Sequence, residues 1–166
     1  LEERPIKLSR HTDPGETLQD VIGRAFNPAI TMHGLAWLRD RWSGSLVVKG
    51  VMRVEDAREI VSLGLDGIVV SNHGGRQLDR SMTPLEALPS VVEAVGERVE
   101  VFVDGGIRSG ADIIAAVGLG ARAALAGRAY LYGLMAGGER GVERALSILR
   151  ADAVRTMQLL GVRSPS

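Results

Sequence analysis

An alternation limits this chain's fold more than any other feature of its sequence. Short apolar runs, ended by glycine, a charged residue or other turn-forming residues, are separated by segments with helical patterning. The runs are Ser45-Leu46-Val47-Val48-Lys49-Gly50, Gly67-Ile68-Val69-Val70, residues 99–103 and residues 121–126. Helices are expected over 34–42, 54–63, 84–95, 109–117, 129–135 and 142–160, the last stopped by Gly161. Thr83 and Glu86 are spaced as a capping box around Pro84, which fits the first helical turn. An internal repeat supports this parsing. Asp56, Gly64 and Ser71 line up with Asp112, Gly120 and Gly127, each pair 56 positions apart. Strands alternating with helices give a parallel sheet with right-handed crossovers. The expected fold class is therefore α/β, with about four parallel βα units. That is half of a (β/α)8 barrel, which needs at least ~200 residues when complete.

Composition narrows the function. The chain has 20 Lys and Arg against 20 Asp and Glu, interspersed, so no nucleic acid or polyanionic partner is expected. It contains no cysteine, which excludes disulfides and thiolate chemistry and fits a reducing compartment. No apolar run approaches the ~18 residues of a spanning helix, and Leu1-Glu2-Glu3-Arg4-Pro5 has no signal-peptide pattern. Residues 1–26 read as a variable loop or insertion, with a short helix from position 17 and an unpartnered His11. The body of the domain spans 27–163, and 164–166 read as a truncated tail. A first residue other than Met suggests a fragment or a processed chain.

The richest stretch is Ser71-Asn72-His73-Gly74-Gly75-Arg76-Gln77-Leu78-Asp79, at the end of the second apolar run. In parallel α/β proteins, ligands gather at such strand exits. An imidazole titrates near neutral pH and can take a proton, and a guanidinium offers a planar fork suited to a carboxylate. His73 with Arg76 thus suggests chemistry on a small acid; the competing reading is a tight turn with both side chains in water. Asp104-Gly105-Gly106-Ile107-Arg108 and Gly127-Arg128 follow the last two strands, where backbone amides, helix starts and arginines suit a phosphate. The competing reading is that these glycines serve close turns. Lys49 points either to solvent or into the barrel mouth, beside a group that gains negative charge. Trp37, Trp42, Tyr130 and Tyr132 read as packing residues, and His33 as a surface or capping group. No metal site is expected.

These motifs, in this order and spacing, resemble the C-terminal half of the FMN-dependent 2-hydroxy-acid dehydrogenases and oxidases. The run Gly127-Arg128-Ala129-Tyr130-Leu131-Tyr132-Gly133-Leu134 looks most like the bacterial L-lactate dehydrogenases of that family. The resemblance implies FMN as cofactor and oxidation of an L-2-hydroxy acid, L-lactate to pyruvate as the best guess. His73 would be the proton acceptor and Arg76 the carboxylate clamp. Lys49 would lie near the flavin N1/O2 edge, with Ser71 a flavin contact. Asp104, Gly105, Gly106, Ile107 and Arg108 would form the ribityl and phosphate loop, and Gly127 and Arg128 the remaining phosphate contacts. It also implies a quinone, a cytochrome or oxygen as electron acceptor. The place would be the cytoplasm, with an option of peripheral attachment at the inner membrane face. The family's first four strands are not in this sequence, nor is the aspartate that pairs with the catalytic histidine. The chain would then act as a homo-oligomer or together with an N-terminal half. A non-catalytic FMN- or phosphate-binding half-barrel stays open. So does a relative of the nucleotide dehydrogenases, although the lack of a cysteine nucleophile argues against it.

Overall fold

A computed structural model describes Thr17 and residues 30–165; apart from Thr17, the reading of residues 1–26 lies outside the described residues. Four strands form one sheet: β1 (Val47–Val51), β2 (Gly67–Val70), β3 (Glu100–Asp104) and β4 (Ala123–Leu125). All pairs are parallel and the strand order is β1-β2-β3-β4. The helices are α1 (Met32–Arg41), α2 (Val54–Ser62), α3 (Pro84–Val95), α4 (Gly110–Gly118) and α5 (Arg128–Leu160). Strand order follows chain order without reversal, so right-handed crossovers deliver every connecting helix to the same face. That is the wall of a barrel. A doubly wound sheet reverses its order and covers both faces.

The 56-residue repeat is physical. Helices α2 and α4 begin and end at positions 56 apart. They also close with the same bonds: Leu63 N to Glu59 O and Gly64 N to Val61 O in one, Leu119 N to Ala115 O and Gly120 N to Val117 O in the other.

The two faces of the sheet do different jobs. Ile68, Val70, Val101 and Val103 pack against Ala57, Ile60, Leu88, Val91, Val95 and Ala116 in one core. Val69 is also buried but stands outside that cluster. Register places it in a row with Lys49, Phe102 and Ala123 on the opposite, barrel-interior face. This interior face carries the candidate chemistry.

Several expectations need correction at the margins. The run 45–50 is not a fully buried strand: β1 forms one edge of the described sheet, and Val47 is 50% exposed. Trp37 and Trp42 are half exposed rather than packed, and the Arg41 guanidinium lies 4.2 Å from the centre of the Trp37 ring. Helix α1 buries no residue fully; Met32 and Leu35 reach the core only in part. Arg39 ties α1 to the body through Asp66 Oδ2, at 3.0 Å, and the same oxygen accepts Leu46 N at 2.7 Å. Those bonds, the Leu46 amide first, hold the Asp66 carboxyl below its usual range. Tyr130 and Tyr132 are exposed, because the start of α5 has no described neighbour over them.

Helix α5 breaks at Gly137 (φ −162°, ψ 27°) and Gly138 (φ 55°, ψ −140°), which separates the two helices expected from sequence. Its second segment crosses α4 at backbone contact, since a side chain at Gly110 would run into Ala153 N. At that crossing, Asp152 Oδ2 accepts Gly110 N at 2.7 Å and Ala111 N at 3.3 Å. Asp112 closes a capping box with Ser109, and its Oδ2 accepts Arg108 N at 2.9 Å and Ser109 N at 2.8 Å. Burial alone would raise the Asp112 carboxyl; the Arg108 and Ser109 hydrogen bonds and the Arg108 charge outweigh it and hold it low. The amides that start α4 are therefore satisfied by two carboxylates.

Two outcomes are expected. Asp152→Ala should lower the unfolding free energy by about 1–3 kcal/mol in urea titrations, because two helix-start amides lose their acceptor. Asp112→Asn should cost about 1 kcal/mol at pH 7. The folded chain holds the Asp112 carboxylate more tightly than the unfolded one, so that gap should shrink as pH falls below about 4. A gap that stays constant down to pH 2 would mean that the charge plays no part.

Candidate active site

The loop after β2 is built around Ser71, the one fully buried polar side chain among the described residues. Its Oγ accepts the Lys49 ammonium at 3.0 Å and His73 N at 3.1 Å. The chain then turns through a short 3-10 segment, His73–Gly75. Asn72 caps it: Oδ1 accepts Gly75 N at 3.1 Å, while Nδ2 donates to Met82 O at 3.3 Å. His73 sits at φ 55°, a left-handed backbone that costs a residue with a side chain about 1 kcal/mol. Loops hold such strain where surrounding contacts over-determine them, which marks this one as a functional candidate.

Lys49 reaches further. Its Nζ lies 2.5 Å from Asp104 Oδ2, so one ammonium joins the exits of β1, β2 and β3. The other Asp104 oxygen, Oδ1, is buried and has no hydrogen-bond partner. A buried acceptor without a donor costs about 1–3 kcal/mol, so this oxygen calls for a donor from a ligand.

After Asp104 the backbone runs through Gly105 (φ 90°) and Gly106 (φ 85°), conformations that side chains rarely adopt. Nothing lies within 4 Å of the Cβ positions of Gly106 and Gly127, which leaves room for an anion to approach the backbone. Helix α5 begins at Arg128 with no side-chain cap, so its first amides keep their capacity for an external acceptor. Here one expectation shifts. The α4 start was expected to add to the phosphate site, but Asp112 and Asp152 already occupy its amides. The α5 start and the Gly105–Gly106 turn remain the candidates for it. In this structure Arg128 donates to Gly74 O at 3.0 Å, linking the fourth strand exit to the second.

One cleft of about 600 Å³ collects these groups. Lys49, His73, Arg76, Asp104, Gly105, Gly106, Ile107, Arg108, Gly127 and Arg128 all line it. Ser71 does not; it lies beneath and acts through Lys49 and the His73 backbone. The Arg76 guanidinium has no hydrogen bond or ion pair among the described residues, which leaves its fork free for an anion. The sequence reading passed over Asn72 and the Gly74 carbonyl. An Asn before His-Gly-Gly was a readable signal for a side-chain-capped turn; a cross-loop bond to a carbonyl leaves none. A larger groove, of about 710 Å³, lies between α4 and the end of α5, away from all of these residues.

Comparison with known proteins identifies the family. The profile of the family described as FMN-dependent dehydrogenase matches residues 3–166. A Mycobacterium tuberculosis protein provisionally named an L-lactate dehydrogenase is 56% identical over 149 residues, which are 90% of this chain and 36% of that protein. The L-lactate dehydrogenase of Caulobacter vibrioides is 48% identical over 88% of this chain and 39% of its own. Among solved structures, the monotopic membrane protein (S)-mandelate dehydrogenase superposes with a TM-score of 0.83 at 43% identity, covering 89% of this chain and 39% of that one. A mandelate oxidase variant carrying an FMN monooxide adduct gives 0.78 at 44% identity, covering 82% and 43%. The chain thus spans well under half the length of these relatives, and within that span it belongs to the FMN-dependent dehydrogenase family.

Proposed function

We propose that this chain supplies the proton acceptor, the carboxylate clamp and most of the phosphate cradle of an FMN-dependent enzyme. The reaction is oxidation of an L-2-hydroxy acid to the 2-oxo acid, with L-lactate to pyruvate as the first candidate. The observation that carries this reading is the convergence of four strand exits on one cleft. The residues present suit the cofactor. Asp104 Oδ1, buried and without a donor, matches a ribityl hydroxyl. The uncapped start of α5, the Gly105–Gly106 turn and the Arg108 and Arg128 side chains match a phosphate.

When bound, FMN supplies the acceptor for the two electrons that leave the substrate carbon. Arg76 pairs with the substrate carboxylate and fixes which carbon faces the cofactor. His73 accepts the proton released by the hydroxy acid. Lys49, held by Ser71 and Asp104, would place its positive charge beside the negative charge that the cofactor gains on reduction, and a charge so placed stabilises the transition state. Ser71 contributes from below by holding the ammonium and the His73 backbone in one place. The electron acceptor is a quinone, a cytochrome or oxygen. The protein sits in the cytoplasm or peripherally at the inner membrane face, and the likeness to a monotopic membrane protein favours the peripheral place. Among the described residues, no helix is long and apolar enough to cross a membrane.

A second reading has an observation of its own. No carboxylate among the described residues bonds to the His73 ring, so no acceptor selects the tautomer that proton transfer needs. On that reading the chain binds FMN through its phosphate and is not catalytic by itself, needing a second copy or an N-terminal half. The absorbance of the purified chain with FMN, followed on anaerobic addition of L-lactate, separates the two. Yellow protein that bleaches supports catalysis, and yellow protein that does not bleach supports binding alone. A colourless chain that takes up no FMN would contradict both. Within the catalytic reading, His73→Ala should slow bleaching about 10²–10⁴-fold with flavin retained. Arg128→Ala should instead weaken FMN binding about 10–100-fold, through loss of charge-assisted hydrogen bonds. The opposite pattern would show that the roles are misassigned.

A further inference from the structure

We infer that Gly50 is a positioning residue for His73: a one-residue bulge in β1 leaves a bare backbone on which the imidazole rests. Three observations meet at this point. The β1–β2 register slips between Lys49 and Val51, since Lys49 pairs with Val69 and Val51 with Val70, so Gly50 is the extra residue of a bulge. Its φ of 102° is one that side chains rarely adopt. A Cβ built there would lie 2.9 Å from His73 Cε1, 3.7 Å from Nε2 and 3.8 Å from Nδ1. The imidazole therefore meets the strand through its Cε1 edge, with its two nitrogens to either side.

The bulge serves two cleft groups at once. It interrupts regular pairing just after Lys49, whose ammonium turns toward Ser71 and Asp104. It also clears the space that the His73 ring fills. The ring is thus located from both ends: its backbone N–H by Ser71 Oγ, its Cε1 edge by the absence of a side chain at position 50. The imidazole makes no bond to a carboxylate among the described residues, so this steric floor is what sets its height above the strand.

The catalytic consequence rests on the role proposed for His73, whereas the contact itself can be tested without it. In the labelled wild-type chain, an NMR cross-relaxation signal between a Gly50 Hα and His73 Hε1 is expected; its absence would overturn the inference. Gly50→Ala should move the His73 ring resonances and remove that contact. It should also slow bleaching of bound FMN by L-lactate about 100-fold, the effect of a displacement near 1 Å, with flavin retained. Gly64→Ala is the control: Gly64 also has a positive φ, 71°, but nothing lies within 4 Å of its Cβ position. It should leave the His73 resonances and the bleaching rate unchanged. Equal shifts in both variants would mean that backbone strain rather than the missing side chain is at work, and would overturn the inference. Should Gly50→Ala fail to fold, the wild-type contact still decides. A contact present in a chain that never bleaches would count against the proposed reaction and leave the positioning role standing.

Discussion

The Lys49 ammonium holds the candidate site together. Its two partners, Ser71 Oγ and Asp104 Oδ2, come from the exits of β2 and β3, while the lysine itself comes from β1. Three neighbouring strands are tied at one end by a single charge. Such a group is costly to bury alone, and here it is partly exposed and doubly partnered, which holds it in place. The arrangement depends on parallel strands in register, because only then do the three exits lie side by side. What the ammonium leaves unsatisfied is equally informative. One Asp104 oxygen is buried without a donor.

The sheet divides its labour by face. On the helix side, β-branched and aliphatic residues make the core that gives the domain its stability. On the other side, the same strands carry Lys49, Phe102 and Asp104, and their exits carry the loops of the cleft. The margins are unfinished among the described residues: Val47 on β1 and Leu125 on β4 stay exposed. Exposed edge strands invite pairing. The relatives are more than twice as long as the matched span. This links the fold to the second functional reading, in which the site gains its missing parts from another half.

Much of this was legible in the sequence, for physical reasons that differ from place to place. The alternation and the 56-residue repeat carried the topology, because apolar runs bounded by glycine leave few alternatives to parallel strands. The capping box at Thr83 and Glu86 formed as spaced, and the Glu86 carboxyl is held low by the Thr83 hydroxyl and amide. The motif residues converged because strand exits in such a sheet must do so. Side-chain burial was less legible. Trp37, Trp42 and Tyr132 have the composition of packing residues, yet burial depends on what covers them, and periodicity does not report that. Long-range hydrogen bonds were the least visible. Asp152 caps a helix 41 and 42 residues earlier in the chain, and that removes the α4 start from the expected phosphate site. No local pattern announces such a partner.

The central proposal is that the third and fourth strand exits grip one flavin phosphate ester, while the first supplies the lysine and the second the proton acceptor and carboxylate clamp. A crystal structure of the chain grown with FMN tests it most directly. The account predicts the phosphate between the Gly105–Gly106 turn and the first amides of α5, with a ribityl hydroxyl donating to Asp104 Oδ1. Flavin density elsewhere, or a phosphate held at the α4 start where Asp112 and Asp152 now sit, would contradict it.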